Sequence, residues 1–197
     1  MLLTLAASLL AFAGMGRTSA GENVDRFIAS MFSEAPADWQ ARVAQDETQC
    51  ICSNFRNNPP SAEAAKIMEL EKASVPLPPS GILTGNWKAG EAIAQSGRGG
   101  QFTDGPGTAN GGNCYACHQI SPGEISYGTL GPSLLKYGKN RGFGLEEAKA
   151  TYEKIYDPQI SSACSLMPRF GHNKVLTEQQ IKDLVAYLFD PQSPVNQ

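Results

Sequence analysis

Two thiols separated by two residues, with an imidazole directly after the second, occur once in this chain, at Cys114-Tyr115-Ala116-Cys117-His118. Thiols one helical turn apart can each add to a vinyl group of a single porphyrin, and the imidazole of the next residue then lies under the iron. The pattern predicts one covalently bound haem c, held by thioether bonds at Cys114 and Cys117, with His118 as an axial ligand to the iron. A zinc half-site would need a second Cys or His pair at matching spacing. No such pair is present, and the chain has only 2 histidines. A thioredoxin-like dithiol would follow a strand, whereas Gly111-Gly112-Asn113 reads as a loop.

The iron needs a ligand on its other face. Met167-Pro168-Arg169-Phe170-Gly171-His172 offers two, and Met167 is the expected sixth ligand, because Pro168 fixes the backbone directly after it and a thioether favours the ferrous ion. His172 is the rival. Met15 lies in a leader, and Met31 and Met68 in helical patterns, where a core role explains them. A six-coordinate iron of this kind carries electrons rather than substrate, so no catalytic residue is expected on this chain.

Length and composition bound the rest. A chain of 197 residues, 41% hydrophobic, can build one or two modest domains with a real core. Its net charge of -3 and lack of a basic cluster argue against a nucleic-acid partner. Residues 1–20 open on an apolar run and end in the small residues Thr18-Ser19-Ala20, which reads as an export signal peptide. No Lys or Arg precedes that run, so the recorded start is expected to lie inside a longer leader, with an uncleaved anchor as the alternative. Haem attachment of this type takes place outside the bacterial cytoplasm, so the expected address is the periplasm, with no membrane contact after signal cleavage.

The elements that must position the site fall into two parts. Residues 21–80 form an acidic helical extension with a Pro-rich linker, and residues 81–197 form the haem domain. Helical patterns cover 24–32, 38–49 and 61–73, with Ser61 as an N-cap, and the acidic face reads as solvated surface. In the haem domain a helix spans 85–95, a Gly-rich loop spans 96–113, and a helix over 145–156 buries Leu145, Ala148, Tyr152, Ile155 and Tyr156. The last helix starts at the capping box of Thr177 and Gln180 and repeats Ile181, Leu184, Val185 and Leu188 on one face. Gly90 is expected to admit Leu184 and Tyr187 where the two terminal helices cross.

Three cysteines remain once the haem has taken two: Cys50, Cys52 and Cys164. In an oxidising compartment a bridge is favoured over free thiols. Cys164 with either Cys50 or Cys52 would tie the extension to the Met167 segment. A Cys50–Cys52 bridge would be strained, and a link to another chain is the third choice.

A helix followed by C-x-x-C-H, G-P-x-L, M-P-x-F and a terminal helix resembles the class I cytochromes c, an all-α fold, over residues 81–190. The finer likeness is to the SoxX family, the cytochrome subunits of periplasmic SoxAX thiosulfate-oxidising complexes. It rests on Asn113 to Gln119, Leu130-Gly131-Pro132-Ser133-Leu134, Ile155-Tyr156-Asp157-Pro158, the Met167 to His172 segment, and Leu176-Thr177-Glu178-Gln179-Gln180 running to Asp190-Pro191. The resemblance implies the same haem attachment and axial pair, and a hydrogen bond from the His118 ring to the Pro132 carbonyl, which would orient the imidazole and raise its basicity. It also implies a heterodimer with a SoxA-like haem subunit, a SoxYZ carrier protein as substrate, and a small cytochrome c as electron acceptor.

The expected function is thus electron transfer within an L-cysteine S-thiosulfotransferase. A free periplasmic monohaem shuttle is the alternative, and the extra helical layer argues against it. A haem enzyme or gas sensor would need an open sixth position. Tyr137 and Arg141 are the candidates for propionate contacts.

Overall fold

The computed structural model describes residues 20–197, apart from residues 36, 77, 102 and 106. The expected signal segment lies outside the described residues except for Ala20. Eight α-helices follow one another along the described chain: α1 (Ala20–Met31), α2 (Ala37–Val43), α3 (Glu47–Asn54), α4 (Ser61–Ser74), α5 (Trp87–Gln95), α6 (Tyr137–Asn140), α7 (Leu145–Tyr156) and α8 (Glu178–Phe189). The described residues contain no strand, in agreement with the all-α expectation. None of their helices is long and apolar enough to cross a membrane.

The main core lies among α5, α7 and α8, where Ala94, Ala148, Tyr152, Ile181, Val185, Tyr187 and Phe189 are buried. Helices of this length are marginal alone in water, so this packing is what holds them. Their ends carry the expected signals. Asn86 caps α5 by accepting from the amides of Lys88 and Ala89, and Thr177 and Gln180 form the capping box of α8. Asp183 ties the two together by accepting from the Asn86 amide at 2.8 Å.

Gly90 lets α5 and α8 touch. A Cβ at Gly90 would lie 2.1 Å from the Asp183 carbonyl oxygen and 2.8 Å from the Tyr187 Cβ. Tyr187 is the expected neighbour, whereas the other is the Asp183 backbone rather than Leu184, which turns one position further into the core. Backbone cannot yield as a side-chain tip can, so Gly90→Ala should destabilise the protein by about 2–3 kcal/mol. Denaturant titration of the haem-loaded protein reads this directly.

The extension differs from expectation in three places. The 38–49 pattern is two helices, not one, because Asp46 caps α3 in a capping box with Gln49 and breaks the chain before it. Pro60, not Ser61, occupies the cap position of α4, and no side chain caps that end. The acidic face is not all solvated surface, since Glu71 is buried. On α7, Leu145 is 50% exposed and Thr151 takes its place on the buried face; the first turn of α7 overhangs the core.

Two buried tyrosines give the core a pH dependence. Burial above all, with Glu178 and Tyr156 adding, pushes the Tyr152 hydroxyl from 10.0 up to about 12, and that oxygen has no hydrogen-bond partner among the described residues. Burial, and then its bond to Tyr115, raises Tyr187 as well. A proton held more tightly in the fold stabilises it fully below the ordinary tyrosine value and less as pH climbs through the raised one. Stability should hold to about pH 10 and fall between about 10 and 12. Tyr152→Phe should flatten that decline and cost little at neutral pH, where no hydrogen bond is lost. Urea midpoints across the pH range would measure both.

Candidate haem site

The C-x-x-C-H segment forms a single 3-10 turn, Cys114–Ala116, entered through Asn113 in the left-handed region at φ 46. The His118 and Cys117 amides both donate to the Cys114 carbonyl, at 2.9 and 3.2 Å, so two thiols and one imidazole leave the same short stretch of backbone. Tyr115 anchors the turn to α8, its hydroxyl lying 2.7 Å from that of Tyr187. The loop ahead of the turn is fastened too. The Gly112 amide donates to Ile93, and the Asn110 side chain donates to the Val175 carbonyl at 2.7 Å.

Nδ1 of His118 lies 2.7 Å from the Pro132 carbonyl oxygen. That carbonyl can only accept, so Nδ1 carries the proton and Nε2 is left with the lone pair that would meet a metal. Gly131 makes the contact feasible, because a Cβ there would stand 2.2 Å from Cε1 of His118. Burial pushes the Cys114 thiol up to about 12; its surroundings disfavour a thiolate and suit a neutral thioether. Leu130 and Leu166 are 69% and 67% exposed, and they precede the Pro132 turn and Met167. Apolar side chains left bare at both ligand segments fit a flat apolar group covering them.

This donor set fits a covalently bound haem. Bound haem supplies a one-electron Fe(III)/Fe(II) couple, and the protein's task is to hold its two faces.

The candidate for the second face lies on a loop. Met167 is half-buried and packs against the same core as Cys114. Its amide donates to Ser165 Oγ at 3.3 Å, and the Gln159 side chain brackets Ser165 through both its amide and its carbonyl. His172, the rival ligand, is engaged elsewhere. Its ring nitrogens lie 2.8 and 2.9 Å from Arg169 Nη2, and Nδ1 is 3.3 Å from Asp157. Met31, expected in a core, is instead 65% exposed on α1, and Met68 sits on α4; Met15 lies outside the described residues. Tyr137 and Arg141 are occupied with each other, the guanidinium 3.6 Å over the ring, and the Tyr137 hydroxyl meets Thr151 at 3.1 Å.

The profile of the cytochrome c family matches residues 89–190, from α5 through the haem turn and the Met167 loop to the end of α8. This chain belongs to the cytochrome c family. The cytochrome is also 40% identical over 166 residues, 83% of its own length and 79% of the relative's, to a protein of Aquifex aeolicus (strain VF5) described as an uncharacterized lipoprotein. It therefore has the all-α class I fold and is an electron-transfer protein that binds haem c.

Two features of the cytochrome go beyond what its sequence settled. Arg169 is buried among three carboxylates: Nε donates to Asp157 at 2.9 Å, Nη2 to Glu71 at 2.6 Å, and Nη1 to Asp46. Glu71, Asp157 and His172 lie close enough together to hold a metal ion, but the guanidinium already sits among them and supplies the positive charge. The second feature is the bridge from Cys52 to Cys164, with Cα atoms 5.5 Å apart. It chooses between the two expected pairings, since residues two apart on α3 face opposite ways. Cys52 points at the Met167 loop, and Cys50 remains a free thiol.

Proposed function

We propose that this cytochrome is the electron-transfer subunit of a periplasmic SoxAX-type complex, with a single haem held at Cys114 and Cys117 and ligated by His118 and Met167. The electron-transfer reading is supported by one observation above all. Both ligand segments are tied down before any metal is considered, His118 by Pro132 and the Met167 loop by Gln159, Arg169 and the disulfide. Ligands held this way suit an iron that changes charge without changing its partners.

The thiosulfate reading rests on the likeness of the segments at 130–134, 155–158, 167–172 and 176–191 to SoxX. In such a complex a thiol of the SoxYZ carrier joins the outer sulfur of thiosulfate at the SoxA-like haem subunit. One sulfur–sulfur bond forms, and a proton and two electrons leave. The present chain takes those electrons and passes them singly to a small cytochrome c, as the non-catalytic subunit of an L-cysteine S-thiosulfotransferase. Periplasmic export agrees with the apolar leader and with the lipoprotein description of the Aquifex relative.

The test is co-expression with a SoxA-like subunit. A heterodimer that adds thiosulfate to the carrier cysteine, read by intact mass, is the expected result. A redox-active monomer that never binds the partner would overturn the complex and leave a diffusible shuttle.

A further inference from the structure

The Met167 loop is gripped on both flanks by residues that a minimal haem domain lacks. Three residues before Met167, Cys164 is bonded to Cys52 of α3. Two residues after it, Arg169 reaches Glu71 of α4 and Asp46, the N-cap of α3, while Asp157 of its own domain holds Nε. Ile51 and Ile67 pack with the disulfide into a second small core, and Thr48 of α3 donates to the same Glu71. The two anchor points are thus locked to each other through α3 and α4 as well as through the loop.

We propose that Cys52, Asp46 and Glu71 of the N-terminal layer are positioning residues for the haem's sixth ligand, clamping the Met167 segment so that its thioether stays on the iron in both oxidation states. The inference rests on the ligand assignment of the preceding subsection. The physical reason lies in the loop itself. Met167 is followed by exposed Pro168 and preceded by exposed Leu166, and its amide makes one long hydrogen bond, to Ser165, among the described residues. Without the clamp, the segment 164–169 keeps Gln159 at Ser165 and Asp157 at Arg169, which leaves the span around Met167 less constrained against opening. With it, the ends of that short segment are fixed by a covalent bond and by a buried guanidinium making three directed bonds.

An open sixth position binds carbon monoxide, and apparent affinity scales with the open fraction. The experiment uses purified full-length holoprotein in four forms: wild type, Cys52→Ala/Cys164→Ala, Glu71→Gln, and Glu47→Gln, which breaks only an exposed pair with Lys66. Expected for the first two variants are a weakened ferric-thioether charge-transfer band, a lower midpoint potential, and ferrous carbon monoxide binding raised at least about tenfold over wild type. Glu47→Gln should match wild type. Should a variant fail to yield holoprotein, ferrous wild type treated with dithiothreitol supplies the same readout, the dithiol passing two electrons and two protons to the bridge. A wild-type protein with no thioether band that Met167→Ala leaves unchanged removes the ligand assignment. A wild type with the band, lost in Met167→Ala but kept with wild-type carbon monoxide resistance when the clamp is broken, overturns the clamp alone.

Discussion

Met167→Ala is expected to convert this cytochrome, ligated as proposed, from a six-coordinate electron carrier into a protein with a vacant iron site. The alanine methyl cannot reach the metal, and His172 cannot substitute, because Arg169, Asp157 and Glu71 surround its ring. Loss of a thioether removes the ligand that favours the ferrous ion. The midpoint potential should fall by on the order of 0.2 V, a fraction of the roughly 0.8 V that axial ligation commands. Ferrous protein should then bind carbon monoxide readily, where wild type resists it. Because Met167 is only half-buried, the fold should tolerate the change, at a cost of about 1–2 kcal/mol, below the usual range for a fully buried methionine. A variant with unchanged potential and spectrum would place the sixth ligand elsewhere.

What could be read in advance depended on how local each signal was. The haem turn is contiguous in sequence and was legible in full, as was the capping box that starts α8. Cys114, Cys117 and His118 leave one turn, and Nδ1 of His118 meets Pro132. The break at Asp46 was also written locally, as Asp-x-x-Gln, but reading 38–49 as one helix ran through it. The clamp was beyond reach for a different reason. Arg169 and its partners Glu71 and Asp46 are 98 and 123 residues apart in the chain, and a charged residue in an acidic stretch normally faces water. Only packing reveals that Glu71 is 3% exposed. The disulfide shows the intermediate case. An oxidising compartment favoured some bridge among Cys50, Cys52 and Cys164, yet the choice of Cys52 with Cys164 required knowing which way α3 faces.

Arg169→Leu should be strongly destabilising. Each guanidinium nitrogen has its own acceptor: Asp157 for Nε, Asp46 for Nη1, and Glu71 together with the His172 ring for Nη2. Burial works against the charge, but the hydrogen bonds to Asp46 and Asp157 outweigh it and hold the Arg169 pKa above its ordinary value. The cation therefore persists throughout the working pH range. Removing it leaves Glu71 and Asp157, 3% and 0% exposed, with the His172 ring as the cationic partner still in reach, and breaking a buried pair from one side costs about 3–5 kcal/mol. Against a total stability of about 5–15 kcal/mol, that is a third or more of the whole. Arg169→Lys should recover little, because a single ammonium on a flexible stem cannot serve three carboxylates fixed in different directions. The double variant Arg169→Leu/Glu71→Gln should be less unstable than the sum of its parts, since removing one orphaned carboxylate relieves what the first change created. Urea titrations of the four proteins, wild type included, would show it. Strict additivity, or a loss under about 1 kcal/mol as for exposed pairs, would mean that water reaches the cluster and that the N-terminal layer holds the Met167 loop by its disulfide alone.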